Sequence, residues 1–306
     1  MTKRIVLIGY NDGADSTGWP QPVTKDQIET LSGCPVCAAS GASLASDSLA
    51  LWRCASCGVL YNNPRPTQQF IEKNYNEGQY YATFTPDRVW EDMWQRRLAR
   101  VLEHGPRSPI LDASAGVGTT VKQLRAKGFD ALGSEISKEA LARAKRVNGV
   151  ELIEGSPEEL ALKEGSLGCV MMWHVLEHLP FPGRTLRHLA GKITPGGLLV
   201  IAAPNAGMAR LWKYPKLWFA SRDAKLEKIV GRIDYDKKFQ EIHLIHFPPP
   251  ALRRVVEAAG FRVLHHGVDN TLSVWRDSKI GPRNFLAKWL GFNDSPAQLL
   301  IARKAA

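Results

Sequence analysis

Downstream of residue 105 the apolar positions alternate between two rhythms. Short runs at Ile110-Leu111, Ala131–Gly133, Val150–Ile153, Gly168–Trp173 and Leu198–Ala202 read as strands. Between them, Val121 and Leu124, then Ala140, Leu141 and Ala144, sit at helical spacing. Gly128 stops the first helix, and Ser137 is placed to cap the second, which ends at Asn148-Gly149. Strand and helix in regular succession are what a parallel sheet with helices on its faces requires. Residues 205–247 break the succession with Leu211-Trp212, Tyr214 and Leu217-Trp218-Phe219 among several Lys and Arg. The pattern resumes as a helix over Ala251–Gly260 and a strand over Phe261–His265.

Upstream, Phe70, Tyr75, Val89, Met93, Leu98 and Val101 predict a helical lead over Gln68–Glu103. Before it, Leu49–Trp52 and Gly58–Tyr61 read as strands and Asn63–Pro66 as a proline-rich exit linker. Residues 1–30 begin with a possible strand at Arg4–Ile8, then lose pattern, and no function attaches to them. At roughly 150 residues per domain, 306 residues correspond to about two domains. The expected division is 1–30, a module at 31–66, a helical linker at 67–105, and a main domain at 106–306 with 205–247 inserted.

Composition narrows the class. Hydrophobic residues at 44% and charged ones at 23% exclude wholesale disorder and coiled coil. Ile193–Ala209, as long an uncharged stretch as the chain has, contains Pro195, Gly196, Gly197 and Pro204, so no membrane span is expected. The apolar run Ile5–Ile8 is too short for a secretory core, so the protein is expected to stay in the cytoplasm. The net charge of +10 invites a nucleic-acid partner, but the excess is spread over 122–146, 205–247 and 270–306, so a nucleic-acid substrate is not favoured. Cys34-Pro-Val-Cys37 and Cys54-Ala-Ser-Cys57, sixteen residues apart, have the spacing of a structural zinc site. Four thiolates complete a tetrahedron and leave no open position for catalysis. Cys169, in an apolar run, is expected as a buried strand residue.

The strand end Ile110-Leu111 runs through Asp112-Ala-Ser114-Ala-Gly116-Val-Gly118 into a helix. A dinucleotide fingerprint needs glycines at offsets zero, two and five, where this loop has Ser114, Gly116 and Thr119. The loop resembles instead the first motif of class I S-adenosylmethionine-dependent methyltransferases, an acid followed by G-x-G-x-G, with Ser114 replacing the first glycine. The chain is similar, from about Cys34 to Phe261, to a group with an N-terminal zinc ribbon and the runs W-H-x-L-E-H, P-G-G, P-N and H-x-x-H-F. Here these are Trp173–His178, Pro195–Gly197, Pro204-Asn205 and His243–Phe247. The resemblance implies an α/β fold, a doubly wound, seven-stranded, Rossmann-like sheet closed by an antiparallel strand at Leu299–Ala302. S-adenosylmethionine would be the cofactor, with Asp112, Ser114, Gly116 and Gly118 around its methionine part. Glu135 would take the ribose hydroxyls, Ser156 would face the adenine where many relatives have Asp, and Trp173 would close the site. Gly168, where an Asp is usual, reads as a packing variation.

Methyl transfer is an in-line displacement in which a sulfonium loses its charge and the acceptor gives up a proton. The protein supplies alignment and a base. His174, His178 and His246 are the candidates; His243 reads as surface or structural. If His174 and His178 begin the helix after the fourth strand, they share a face with Glu177. With His246 converging, that set could hold a divalent metal, as some related O-methyltransferases do with E-x-x-E-H, although His174 occupies the first acid's place. A metal-free site with His178 or His246 on the acceptor's proton is the favoured reading. The expected reaction is O-methylation of a small molecule: a secondary metabolite, saccharide or quinone-like precursor. The alternative is an RNA or protein methyltransferase that docks its substrate through the ribbon. Residues 205–247 are expected to form a lid over the acceptor, ahead of a packed helix or a membrane-surface element.

Overall fold

The computed structural model describes residues 24–77, 88–208, 211, 215–231, 243–269 and 296–305. The strand expected at Arg4–Ile8 lies outside the described residues. Five short strands build the N-terminal module: β1 (Ile28–Glu29), β2 (Ala42–Ser46), β3 (Leu51–Cys54), β4 (Leu60–Asn62) and β5 (Arg65–Pro66). β2, β3 and β4 pair antiparallel in sequence. The expected exit linker is a strand at its far end, because Arg65 and Pro66 pair antiparallel with Glu29 and Ile28. Arg65 fixes this junction. Its fully buried guanidinium donates to Glu29 Oε1 at 2.8 Å and to the Pro180 carbonyl at 2.6 Å, and lies over the Phe181 ring.

The predicted helical lead is two helices, α1 (Gln68–Glu77) and α2 (Arg88–Leu102). The main sheet then follows with β6 (Ile110–Ala113), β7 (Ala131–Glu135), β8 (Ile153–Glu154), β9 (Leu167–Trp173) and β10 (Ile193–Pro204). Later in the chain come β11 (Ile245–His246), β12 (Phe261–Val268) and β13 (Ala297–Lys304). The helices of this part are α3 (Thr119–Ala126), α4 (Lys138–Arg143), α5 (Pro182–Lys192), α6 (Arg222–Val230) and α7 (Pro249–Ala258). The seven strands of the main sheet run in the order β12-β13-β10-β9-β6-β7-β8, with β13 antiparallel to both its neighbours. Every residue of β9 is buried, as a strand covered on both faces demands. The order turns back between β6 and β9, and ligands of such sheets bind outside the carboxyl ends of the strands at that switch point.

Gly168 is a packing variation, as expected. A Cβ there would stand 2.1 Å from the Arg107 carbonyl oxygen, so no side chain fits. The helix expected from His174 is absent. His174 has φ +56°, residues 176–178 form a turn in which the His178 amide donates to the Val175 carbonyl, and α5 begins at Pro182. A side chain at positive φ leaves the right-handed helical region, so the four-residue spacing does not translate into one helical face.

The ribbon shares one core with the main domain. Cys34, Val36, Cys57 and Tyr61 pack in the same cluster as Met172, Leu199, Leu244 and Phe247. β11 extends the ribbon sheet by pairing with β4. A Cβ on Gly183 would meet the Val36 carbonyl oxygen at 1.7 Å, so the first cysteine knuckle lies directly on α5. Within the region read as a lid, α6 is seated on the ribbon. Leu226 packs with Ala45, Leu49, Leu51 and Leu60, while Asp223 accepts from Ser48 Oγ at 3.0 Å. Fully burying an aliphatic side chain of this size contributes about 1.5–3 kcal/mol, so the contact holds insertion and ribbon together.

Candidate functional site

The loop between β6 and α3 has the conformation its glycines predict. Gly116 and Gly118 lie at φ +56° and +73°, and Ser114, in the place of a glycine, lies at +62°. Holding a non-glycine residue there costs about 1–2 kcal/mol, which the Ala115 amide bond to the Ser134 carbonyl at 2.7 Å helps to offset. Trp90 of α2 covers the loop's exit by donating Nε1 to Thr119 Oγ1 at 3.1 Å.

Two buried carboxylates face this loop from adjacent strand ends. Glu135 is 6% exposed and anchored by three backbone amides: Oε1 accepts from Ile136 and Ser137 at 2.9 Å each, Oε2 from Gly116 at 2.8 Å. Burial raises its pKa against those three hydrogen bonds. Asp112 is 2% exposed. Burial pushes it up to about 8, a hydrogen bond with Thr120 opposes the rise, and the charge of Glu135 adds to it. Its Oδ1 has no partner among the described residues. An orphaned carboxylate oxygen beside a second buried acid and a glycine cradle fits a cationic ligand; S-adenosylmethionine carries a sulfonium and an ammonium. Ser156 is half-buried after β8, its amide on Glu159 Oε2 at 2.8 Å.

At the end of β9, Trp173 stacks edge-on against Trp94 of α2, with ring centroids 5.3 Å apart, and Trp94 stacks on Trp90. Arg97 lies over both Trp94 and Trp173. Its Nη2 donates to Asp269 Oδ2 at 2.6 Å, and both side chains are nearly inaccessible. His174 joins this pair, with Nε2 at 3.6 Å from Asp269 Oδ2 and 3.1 Å from Arg97 Nη2, and Nδ1 at 3.4 Å from Glu177 Oε1. Burial disfavours a charged ring, but hydrogen bonds to Asp269 and Glu177 outweigh it and raise His174 to about 9. His174 is therefore held between Asp269, Arg97 and Glu177, and these contacts leave it poorly placed to take a substrate's proton. Sequence reasoning missed Arg97 and Asp269, which are 172 residues apart and meet only in the fold.

The other histidines separate. His178 is 13% exposed by side chain and stacks edge-on against His243 with centroids 4.7 Å apart. His246 does not join them at the site. It lies on β11, 7% exposed, with Nε2 3.2 Å from Asn62 Oδ1 of the ribbon, and burial pushes its pKa down to about 3. The expected convergence of His246 on the face of His174, Glu177 and His178 is corrected: β11 pairs with β4, and the ring meets Asn62 of the ribbon.

The four ribbon sulfurs lie within 4.8 Å of one another, with Cys34 and Cys57 3.6 Å apart and Cys37 and Cys54 3.5 Å apart. Zinc–sulfur bonds of about 2.3 Å in a tetrahedron place sulfurs about 3.8 Å apart, so the cluster fits structural zinc. A hydrogen bond from Cys57 brings Cys34 down to about 5, favouring the thiolate that zinc requires. Cys169 is fully buried on β9, as expected.

A methyltransferase-domain family matches residues 87–266. A demethylmenaquinone methyltransferase of Corynebacterium urealyticum is 28% identical over 146 residues, 47% of this chain and 61% of that protein. A Mycobacterium tuberculosis protein named a probable S-adenosylmethionine-dependent methyltransferase is 28% identical over 125 residues, 39% of this chain and 46% of that one. The chain thus spans less than two thirds of either relative's length. Solved structures from Listeria monocytogenes and Pyrococcus horikoshii share the fold with TM-scores of 0.50, at 13% and 14% identity. They cover 72% and 74% of this chain and 100% and 98% of their own. Matched over more than half its length and built on this strand order, the chain belongs to the methyltransferase-domain family, in the class I S-adenosylmethionine-dependent form with a four-cysteine ribbon at its N-terminal side.

Proposed function

We propose that this chain transfers the methyl group of S-adenosylmethionine to an oxygen of a small molecule, a secondary metabolite, saccharide or quinone-like precursor, in the cytoplasm. The observation that carries the donor is Asp112 and Glu135, two buried carboxylates at neighbouring strand ends with one oxygen unpartnered. Asp112 and the loop from Ser114 to Gly118 hold the methionine part, Glu135 the ribose, Ser156 the adenine side, and Trp173 the wall. Alignment of donor and acceptor is worth about 7–11 kcal/mol, and a base contributes roughly 100- to 10,000-fold. His178, 13% exposed by side chain in the turn after β9 and beside His243, is the residue we assign to that proton. A quinone-like acceptor is in keeping with the Corynebacterium relative's name.

Docking of RNA or protein through the ribbon is less well supported, since its sheet is extended by β11 and packed by α6. Among the described residues no helix is long and apolar enough to cross a membrane. The test is to add methyl-labelled donor and purified protein to a cell extract and fractionate it. Label is expected among small molecules and lost with Glu135→Gln; label in RNA or protein instead overturns the acceptor assignment.

A further inference from the structure

We propose that Glu177, His178 and His243 form a second metal site, separate from the cysteine ribbon, that takes a divalent first-row transition ion at the carboxyl end of the sheet. One ligand atom from each of the three lies within 4.8 Å of the others. Metal bonds of about 2.0–2.2 Å to nitrogen and oxygen set such atoms about 3–3.5 Å apart, so an ion draws Glu177 Oε1 and His178 Nε2 together from their 4.0 Å.

Three further features support the assignment. First, the Glu177 side chain is 1% exposed, and its Oε2 has no hydrogen-bond partner among the described residues, while Oε1 has the His174 imidazole at 3.4 Å. The imidazoles at 3.4 Å and 4.0 Å are the nearest ion-pairing groups. A buried carboxylate with one oxygen unpartnered is costly, and a metal cation would meet it. Second, the backbone already holds the ligands together. The Glu177 carbonyl accepts from the amides of Leu244 at 2.8 Å and Ile245 at 3.2 Å, which fixes His243 beside the turn carrying Glu177 and His178. Third, the donor set is selective. Two imidazoles and one carboxylate suit zinc, manganese or iron(II) and leave positions open, whereas Mg2+ prefers oxygen ligands.

This ligand set differs from the one the spacing suggested. His174 is occupied by Asp269 and Arg97, His246 by Asn62, and His243, from the far end of the insertion, takes their place. An open position at the end of β9 is where an acceptor oxygen would bind. That last step rests on the oxygen-acceptor reading above and has the ion take over from His178 the easing of the acceptor's proton, because a ligating imidazole has no lone pair to spare; the metal site itself rests on neither.

The test uses the full-length protein with zinc retained in the ribbon, and Mn2+ as the probe, because thiolates bind it poorly. Paramagnetic resonance of free Mn2+ counts the bound ion, and elemental analysis counts zinc. The wild type is expected to bind one Mn2+ per chain beyond its ribbon zinc, and to take up a second zinc when zinc replaces manganese. His243→Ala and His178→Ala should each weaken Mn2+ by at least about 100-fold while keeping one zinc and the wild-type melting curve. Since no turnover is read, the result is independent of whether the acceptor atom is oxygen. A wild type that binds no ion beyond the ribbon zinc, or an alanine variant that binds Mn2+ as tightly as the wild type, overturns the assignment.

Discussion

Replacing Glu135 with Gln probes the donor site and the fold together. The wild-type carboxylate takes two amides on Oε1 and the Gly116 amide on Oε2, so three of its about four acceptor positions are used. A glutamine carbonyl can keep Ile136 and Ser137, but its NH2 group then faces the Gly116 N–H, donor against donor. Leaving that buried N–H unsatisfied costs about 1–3 kcal/mol, or roughly 2–12 °C in melting temperature at 2–4 °C per kcal/mol. Losing the charged partner of the ribose costs a further 1.5–3 kcal/mol or so, about 10- to 150-fold in S-adenosylmethionine affinity. Melting by circular dichroism and titration calorimetry well below the melting temperature read the two effects separately. A Gln variant that melts within about 1 °C of the wild type would show that Glu135 does not anchor the glycine loop. Unchanged affinity would show that it does not touch the donor.

Cys54→Ser should remove the zinc found by elemental analysis and, because the ribbon shares the domain core, lower the melting temperature of the whole chain; wild-type protein free of zinc would refute the site. Gly183→Ala should destabilise by about 2–4 kcal/mol, since the new Cβ meets a backbone oxygen, whereas Gly128→Ala, at positive φ in open space, should cost only about 1 kcal/mol by denaturant titration. Asp112 titrates near 8 when folded and near 3.9 when unfolded, so the native state binds the extra proton in between. Stability should therefore fall as pH rises from about 4 to about 8, and Asp112→Asn should flatten that slope in melts across the range. Binding the cationic donor at pH 7 should release a proton, detected by calorimetry in buffers of different ionisation enthalpy.

The sheet and its cofactor loop were legible because their signals are local. A buried parallel strand needs an unbroken apolar run, and a backbone turning at positive φ needs glycine, so β6, β7, β9, β10, Gly116 and Gly118 could be placed from neighbouring residues alone. The cysteine spacing is likewise a property of two short knuckles. Where the local signal misled, a distant partner or a single backbone angle decided. Pro66 suggested a linker, but its strand partner Ile28 comes from a segment with no pattern of its own. His174 and His178 had helical spacing, but the positive φ of His174 begins a turn.

The rest of the site is tertiary. Arg97 stood in a helix among other basic residues, and only the crossing of α2 over β9 and the return of β12 bring it to Asp269 and His174. Strand pairing turned His246 to the ribbon, and the Glu177 backbone drew His243 to the cleft in its place. Gly183 could be read in the sequence only as a helix residue, since its reason, a carbonyl of the ribbon where a Cβ would be, exists only once the ribbon is docked. Spacing fixes which residues share a turn, a strand or a knuckle. Which buried charges neutralise one another depends on contacts across many residues of chain, which the sequence pattern does not encode.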